Sequence, residues 1–215
     1  MIFALLPVKA PQQAKQRLNG LLTAPQREAL ARALYEEMLA TLCAARGLDR
    51  IAVVTSDEAT ARQARRSGVL AFEEAEQMGH SHSADAAARR AMQLGARTVI
   101  LLPIDVPLAT SEEIEELVAE ARRHSVVIVP SEDGTGTNAL ARTPPDLIPS
   151  CFGPGSFLAH LEQAREGGAA AKVLRLPGIM FDVDTPEDLA ELVRRAPHSR
   201  IAQLVQPQWA STSQD

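Results

Sequence analysis

The chain has 215 residues, 46% of them hydrophobic, which is enough to bury the core of one α/β domain. A formal net charge of −5 and an aromatic content of 3% exclude a nucleic-acid binder, which would need a basic stripe or a base-stacking platform. Cys43 and Cys151 are too far apart to form a disulfide framework or a metal motif. No apolar run approaches the roughly 18–20 residues of a membrane span, and the short apolar start has no basic region before it, so the expected compartment is the cytosol.

In chain order, residues 2–8 (IFALLPV) form a continuous apolar run, and residues 51–56, 98–105 and 126–131 repeat the pattern. Runs that are apolar on both faces suit parallel strands covered by helices on each side. Helices are predicted between them over 24–46, 58–68, 83–95 and 111–124, with Gly47, Gly68 and Gly95 at three of the expected stops. Ser111 followed by Glu112 to Glu115 suggests a capping box for the fourth. The stretch 79–87, with two histidines at i, i+2, reads as a surface loop and a poor zinc site.

After residue 131 the rhythm changes. Residues 132–156 are rich in Gly, Pro and Thr and read as loop, and 156–166 reads as a helix. Residues 172–185 read as strand-like with a turn at Pro177–Gly178, and 186–196 as a helix with proline at its first position. The expected layout is one domain over 1–205 and a polar, frayed tail over 206–215.

Ligands in open parallel sheets sit beyond the carboxyl ends of the strands. Asp105 ends one predicted strand between Pro103 and Pro107, and Asp182 and Asp184 end another at i, i+2, which turns both side chains to one face. Three converging carboxylates repel one another unless cations lie between them, and oxygen-only ligation suits Mg²⁺. A second reading of Asp184, or of Thr185, is a cap for the helix starting at Pro186. Lys9, Lys15 and Arg17 follow the first strand, where cations would neutralise a polyphosphate, although the loop has neither a P-loop nor a dinucleotide fingerprint. Two further loops look suited to anions. Residues 133–140 offer Thr135, Thr137 and Asn138 as donors, and 152–157 lead into a helix whose amides near Gly155 and Ser156 would face a phosphate or carboxylate.

Five stretches, PVKAPQQAKQRL, LLPIDVPL, DGTGTNAL, FGPGSFLAHLEQA and FDVDTPEDL, occur in this order across residues 1 to about 195. Together they resemble the 2-phospho-L-lactate guanylyltransferases of coenzyme F-420 biosynthesis. The resemblance implies a single-domain nucleotidyltransferase fold (glycosyltransferase-A-like) with a mostly parallel central sheet flanked by helices. It also implies Mg²⁺-dependent joining of GTP to a three-carbon phospho-acid: 2-phospho-L-lactate, phosphoenolpyruvate or 3-phosphoglycerate.

Carried over, Asp105, Asp182 and Asp184 match metal-binding carboxylates, Lys9 a substrate-contacting lysine, and Thr137, Gly153 and Ser156 the acceptor pocket. Lys15 and Arg17 would hold the phosphate tail. Ser83-Ala84-Asp85 stands where relatives usually have Gly-Leu-Asn, so Asp85 is expected near the guanine base. The resemblance further implies a downstream phospholactate transferase that consumes the product, and it allows a homodimer. The rival readings are a same-fold enzyme acting on a sugar phosphate or pterin cofactor, and a non-catalytic nucleotide-binding protein.

Overall fold

The computed structural model describes residues 1–74 and 79–205, so the tail expected over 206–215 lies outside the described residues. Its strands are β1 (Ile2–Pro7), β2 (Arg50–Thr55), β3 (Leu70–Glu73), β4 (Thr98–Leu101), β5 (Val126–Pro130), β6 (Thr137–Arg142) and β7 (Ala171–Val173). The α-helices are α1 (Ala24–Ala44), α2 (Glu58–Arg66), α3 (His80–Gln93), α4 (Ser111–Ala121), α5 (Ser156–Glu166), α6 (Pro177–Met180) and α7 (Pro186–Arg195).

The strands form one sheet in the order β3-β2-β1-β4-β6-β5-β7. β6 alone runs antiparallel to its neighbours β4 and β5; the other pairings are parallel. Alternation along β1 builds two layers. Ala4 and Leu6 face a cluster with Tyr35, Met38 and Leu42 of α1 and Ile114, Leu117 and Val118 of α4. Phe3 and Leu5 face Ala84, Ala87, Ala88 and Ala91 of α3, whose small side chains at i, i+3, i+4 and i+7 form one helix face against the sheet. A third cluster joins Leu18 and Leu22 after β1 to Leu30 and Leu34 of α1, Leu189 and Leu192 of α7, and Ile201 and Val205. Phe181 and Val183 belong to this cluster, so it anchors the 181–184 segment beside the loop that follows β1.

The sheet corrects several sequence expectations. β4 stops at Leu101, short of Asp105, because Pro103 has no N–H for a ladder. β6 lies within the stretch expected to be loop, and 79–87 is mostly the start of α3. Residues 181–184 are not a strand end: β7 stops at Val173 and the short α6 follows. The capping box of α4 is Thr110 with Glu113, one residue earlier than expected. Gly178 brings α6 against the loop after Asp105. A Cβ there would overlap the Leu108 carbonyl, and its amide donates to Glu113 Oε1 at 2.7 Å.

Candidate active site

Asp105 and the 181–184 segment meet through the backbone, because the Val183 amide donates to the Asp105 carbonyl at 2.9 Å. Val183 is fully buried in the third cluster, and the carboxylates of Asp182 and Asp184 flank it. The pair therefore sits on a loop, where strand alternation does not set its faces: Asp182 meets Asn138 and Asp184 meets Lys15. Thr185, not Asp184, caps α7: its hydroxyl accepts from the Asp188 amide at 3.2 Å, while the Asp188 carboxylate accepts from the amides of Asp184 and Thr185. Asp184 is left free for other partners.

Its partner is Lys15. The Lys15 ammonium donates to Asp105 Oδ2 at 3.1 Å, to Asp184 Oδ1 at 3.0 Å and to the Val183 carbonyl at 2.7 Å, and the side chain is only 5% exposed. The cation between the carboxylates is thus part of the chain, where sequence reasoning expected Mg²⁺ there and Lys15 on phosphate. Lys15 is also the one non-glycine residue with positive φ (54°) among those described. For an L side chain that conformation costs about 1–2 kcal/mol, which the three bonds to the ammonium offset. Arg17, largely exposed, approaches Asp184 Oδ2 at 3.6 Å, and Lys9 is exposed with no hydrogen bond or ion pair among the described residues.

Electrostatics follow this geometry. Burial works against the Lys15 ammonium, but Asp105 and Asp184 outweigh it and hold its pKa above the ordinary lysine value. Burial would raise Asp184, yet Lys15, Arg17 and Lys9 keep it below the usual carboxylate range. Asp182 has no such cation. Burial, helped by the charges of Asp105 and Asp184, pushes it up despite a 3.0 Å bond from Asn138 Nδ2.

Whether a divalent metal fits can be read from that ammonium. Among the described residues no group of three or more His, Cys, Asp or Glu side chains is arranged to hold a metal ion. Two carboxylate oxygens and a carbonyl already converge on one positive centre, however, and Asp182 stands beside them without a cation. That all-oxygen set fits Mg²⁺, which is usually held through one or two carboxylates plus waters and phosphates.

The other predicted residues divide. Asp85 is committed to the interior: its Oδ1 accepts from Arg142 Nη1 at 2.8 Å and from the Ser150 hydroxyl at 2.7 Å, and the Ser150 amide also bonds to it. Arg142 is 1% exposed, and a buried guanidinium needs a counter-charge. This geometry makes Asp85 that counter-charge, a role the sequence did not announce.

The 133–140 loop is no open anion cradle. Asp133 accepts from the amide and hydroxyl of Thr135, and Asn138 donates to Asp182 and to the carbonyls of Ile179 and Met180. At the start of α5 the Ser156 amide donates to the Gly153 carbonyl instead of facing outward as expected, and the next amide, that of Phe157, donates to the Thr135 carbonyl. Gly153 (φ 130°) supplies that turn, and Ser156 is buried.

His80, read from the sequence as a surface residue, is exposed at the start of α3; desolvation and the Lys9 charge lower its pKa, and Asp105 and Asp184 oppose this. Sequence reasoning missed one histidine. His160 is fully buried, bonded to Thr137 Oγ1 at 2.9 Å and to the Cys151 amide at 2.8 Å. Burial and the Arg142 charge lower it from 6.5 to about 4. The unfolded chain therefore takes up a proton below pH 6.5 that the folded chain refuses until about pH 4. This contribution to stability is complete above pH 6.5 and is lost as the pH falls toward 4, by about 3 kcal/mol. Urea unfolding of the parent and of His160→Gln at pH 7 and pH 4.5 checks this. The parent loses more stability than the variant between the two values, and equal losses would refute it.

Comparison with known proteins gives one consistent answer. The family model described as "Guanylyl transferase CofC like" matches residues 2–201. A phosphoenolpyruvate guanylyltransferase of Sphaerobacter thermophilus is 36% identical over 194 residues, covering 90% of this chain and 93% of that protein. A 3-phospho-D-glycerate guanylyltransferase of Colwellia psychrerythraea is 33% identical, covering 86% and 88%. In structure, a 4-diphosphocytidyl-2C-methyl-D-erythritol synthase from Anaerococcus prevotii superposes with a TM-score of 0.66 at 14% identity, covering 92% of this chain and 96% of that one. Its likeness bears on the fold alone. No described helix is long and apolar enough to cross a membrane.

Proposed function

The chain belongs to the CofC-like guanylyl transferase family, and from that premise we propose that it joins GTP to a three-carbon phospho-acid with release of pyrophosphate. The observation that carries the reading is the convergence of Asp105 and Asp184 on one positive centre, the Lys15 ammonium. Relatives are named for phosphoenolpyruvate and for 3-phosphoglycerate, and these acids, with 2-phospho-L-lactate, are the candidate acceptors. The product feeds coenzyme F-420 biosynthesis, where a phospholactate transferase consumes it.

In the reaction an oxygen of the acceptor phosphate bonds to the α-phosphorus of GTP, the bond to the β-phosphate breaks, and pyrophosphate leaves. The attacking oxygen is ionised at neutral pH, so no general base is required. Asp105 and Asp184, which now share the Lys15 ammonium, would hold Mg²⁺ with Asp182 beside them, and Asn138 donates to Asp182. Bound Mg²⁺ supplies charge stabilisation at the phosphoryl group in transfer and at the leaving pyrophosphate. Lys15, Lys9 and Arg17 are the cations beside these carboxylates that would neutralise the phosphates. Thr137, Gly153 and Ser156 line the acceptor side.

Steady-state rates with GTP and ATP, each with phosphoenolpyruvate, test the nucleotide assignment. The purines differ at the edge that hydrogen bonds read, so kcat/KM should favour GTP by at least about tenfold. Equal values would overturn guanine selectivity. The three acids run side by side under the same conditions then rank the acceptors.

A further inference from the structure

We propose that His160 is a positioning residue that makes the Thr137 hydroxyl a hydrogen-bond donor to the phospho-acid; this rests on the placement of that acid at Thr137. The argument starts from the Cys151 amide. A backbone N–H can only donate, and it donates to His160 Nε2 at 2.8 Å, so that nitrogen carries no proton. The ring is fully buried, with the Phe152 ring edge-on at 5.1 Å and no carboxylate bonded to it. It is therefore neutral, and its proton is on Nδ1. Nδ1–H then donates to Thr137 Oγ1 at 2.9 Å. The oxygen of Thr137 is occupied as an acceptor, and its own hydrogen is directed elsewhere. Among the described residues no acceptor takes that hydrogen. An anionic oxygen from outside the fold would satisfy it.

Local backbone geometry explains why Thr137 can play this part. In the β5–β6 ladder Val129 faces Ala139 but Pro130 faces Thr137, so the ladder holds one extra residue there. Asn138 consequently meets the carbonyls of Ile179 and Met180 on the same side as Ala139, whereas Thr137 meets His160 of α5. Bulges of this kind re-aim side chains beside functional sites. One ring thereby joins the start of β6 to the 150–155 loop, the two loops that the sequence marked separately. It does so next to Asn138, which holds Asp182.

Two variants of one residue separate positioning from mere structure. In His160→Gln the amide oxygen can still accept from Cys151, but the donor at Nδ1 is lost. In His160→Asn the amide nitrogen replaces Nδ1 and the Cys151 bond is lost. With phosphoenolpyruvate, His160→Gln should lower kcat/KM roughly tenfold, mainly through KM, and leave GTP affinity unchanged, while His160→Asn recovers most of the loss. Thr137→Val should show a similar loss, and His160→Gln should add little to it in the double variant. Histidine ¹⁵N spectra of the parent protein check the tautomer without any variant: Nδ1 should carry the proton and Nε2 should not. A protonated Nε2, equal losses in Gln and Asn, or losses that multiply in the double variant would each overturn the role of His160. A Thr137→Val enzyme with normal phospho-acid kinetics would overturn the placement of the acid, and the inference with it.

Discussion

Replacing Asp105 with asparagine should lower turnover with GTP and phosphoenolpyruvate about a thousandfold, or roughly 4 kcal/mol of transition-state stabilisation. The change removes a charge but almost no volume, and the structural bond at this position is made by the Asp105 carbonyl to the Val183 amide, which the variant retains. The packing of Val106 beside it is untouched. The loss should appear in kcat and kcat/KM together. Because the Asp105 carboxylate also compensates the buried Lys15 ammonium, stability in urea should fall as well, but by less than in Lys15→Met, since Asp184 and the Val183 carbonyl still hold the ammonium. Kinetics at saturating Mg²⁺, with a urea melt of the same preparation, measure both. Near-normal turnover would remove Asp105 from the catalytic machinery.

Lys15→Met should have the second-largest effect, and in two measurements of different kinds. Removing one member of a buried ion pair leaves its partners uncompensated, at a cost of about 3–5 kcal/mol. Asp105 and Asp184 are 26% and 41% exposed, so water relieves part of this and the loss should fall near the low end, about 3 kcal/mol. With the ammonium gone, a divalent cation meets carboxylates that no longer have an internal partner. Mn²⁺ or Mg²⁺ should then raise the melting temperature of the variant more than that of the parent, without nucleotide present. Turnover should fall about a hundredfold, since the same ammonium serves the phosphates. Identical metal-induced shifts in parent and variant would show that Lys15 does not hold the place a metal takes.

Much of the frame was legible because it depends on local pattern. Continuous apolar runs marked β1, β2 and β5, and α5 spans the 156–166 stretch that reads as a helix. β6 was not legible: TNALAR sits among Gly, Thr and Pro, and its place between β4 and β5 is a long-range pairing that no local signal announces. The acids were found as a set, but the reason they can sit together was not. Lys15 reads in sequence as one more cation in a polar loop. Only a left-handed backbone at that residue and the packing of Leu18 against Phe181 and Val183 bring its ammonium between Asp105 and Asp184. The bond of Asp85 to Arg142 was illegible for a related reason, since that partner is 57 residues away in sequence and buried by the sheet. His160 could have been suspected from a histidine four residues into a helix that follows a glycine-rich loop, although the bond that gives it a role crosses to β6.

The central claim is that one site couples GTP to a phospho-acid through a cation held by Asp105 and Asp184. The most direct test is pyrophosphate release measured with GTP and Mg²⁺, with and without each of the three acids, for the parent and for Asp105→Asn. The account predicts that release requires GTP together with at least one acid, yields one guanylylated acid per pyrophosphate, and all but disappears in the variant. Release at the same rate from GTP alone, or none with any of the three acids, would contradict it.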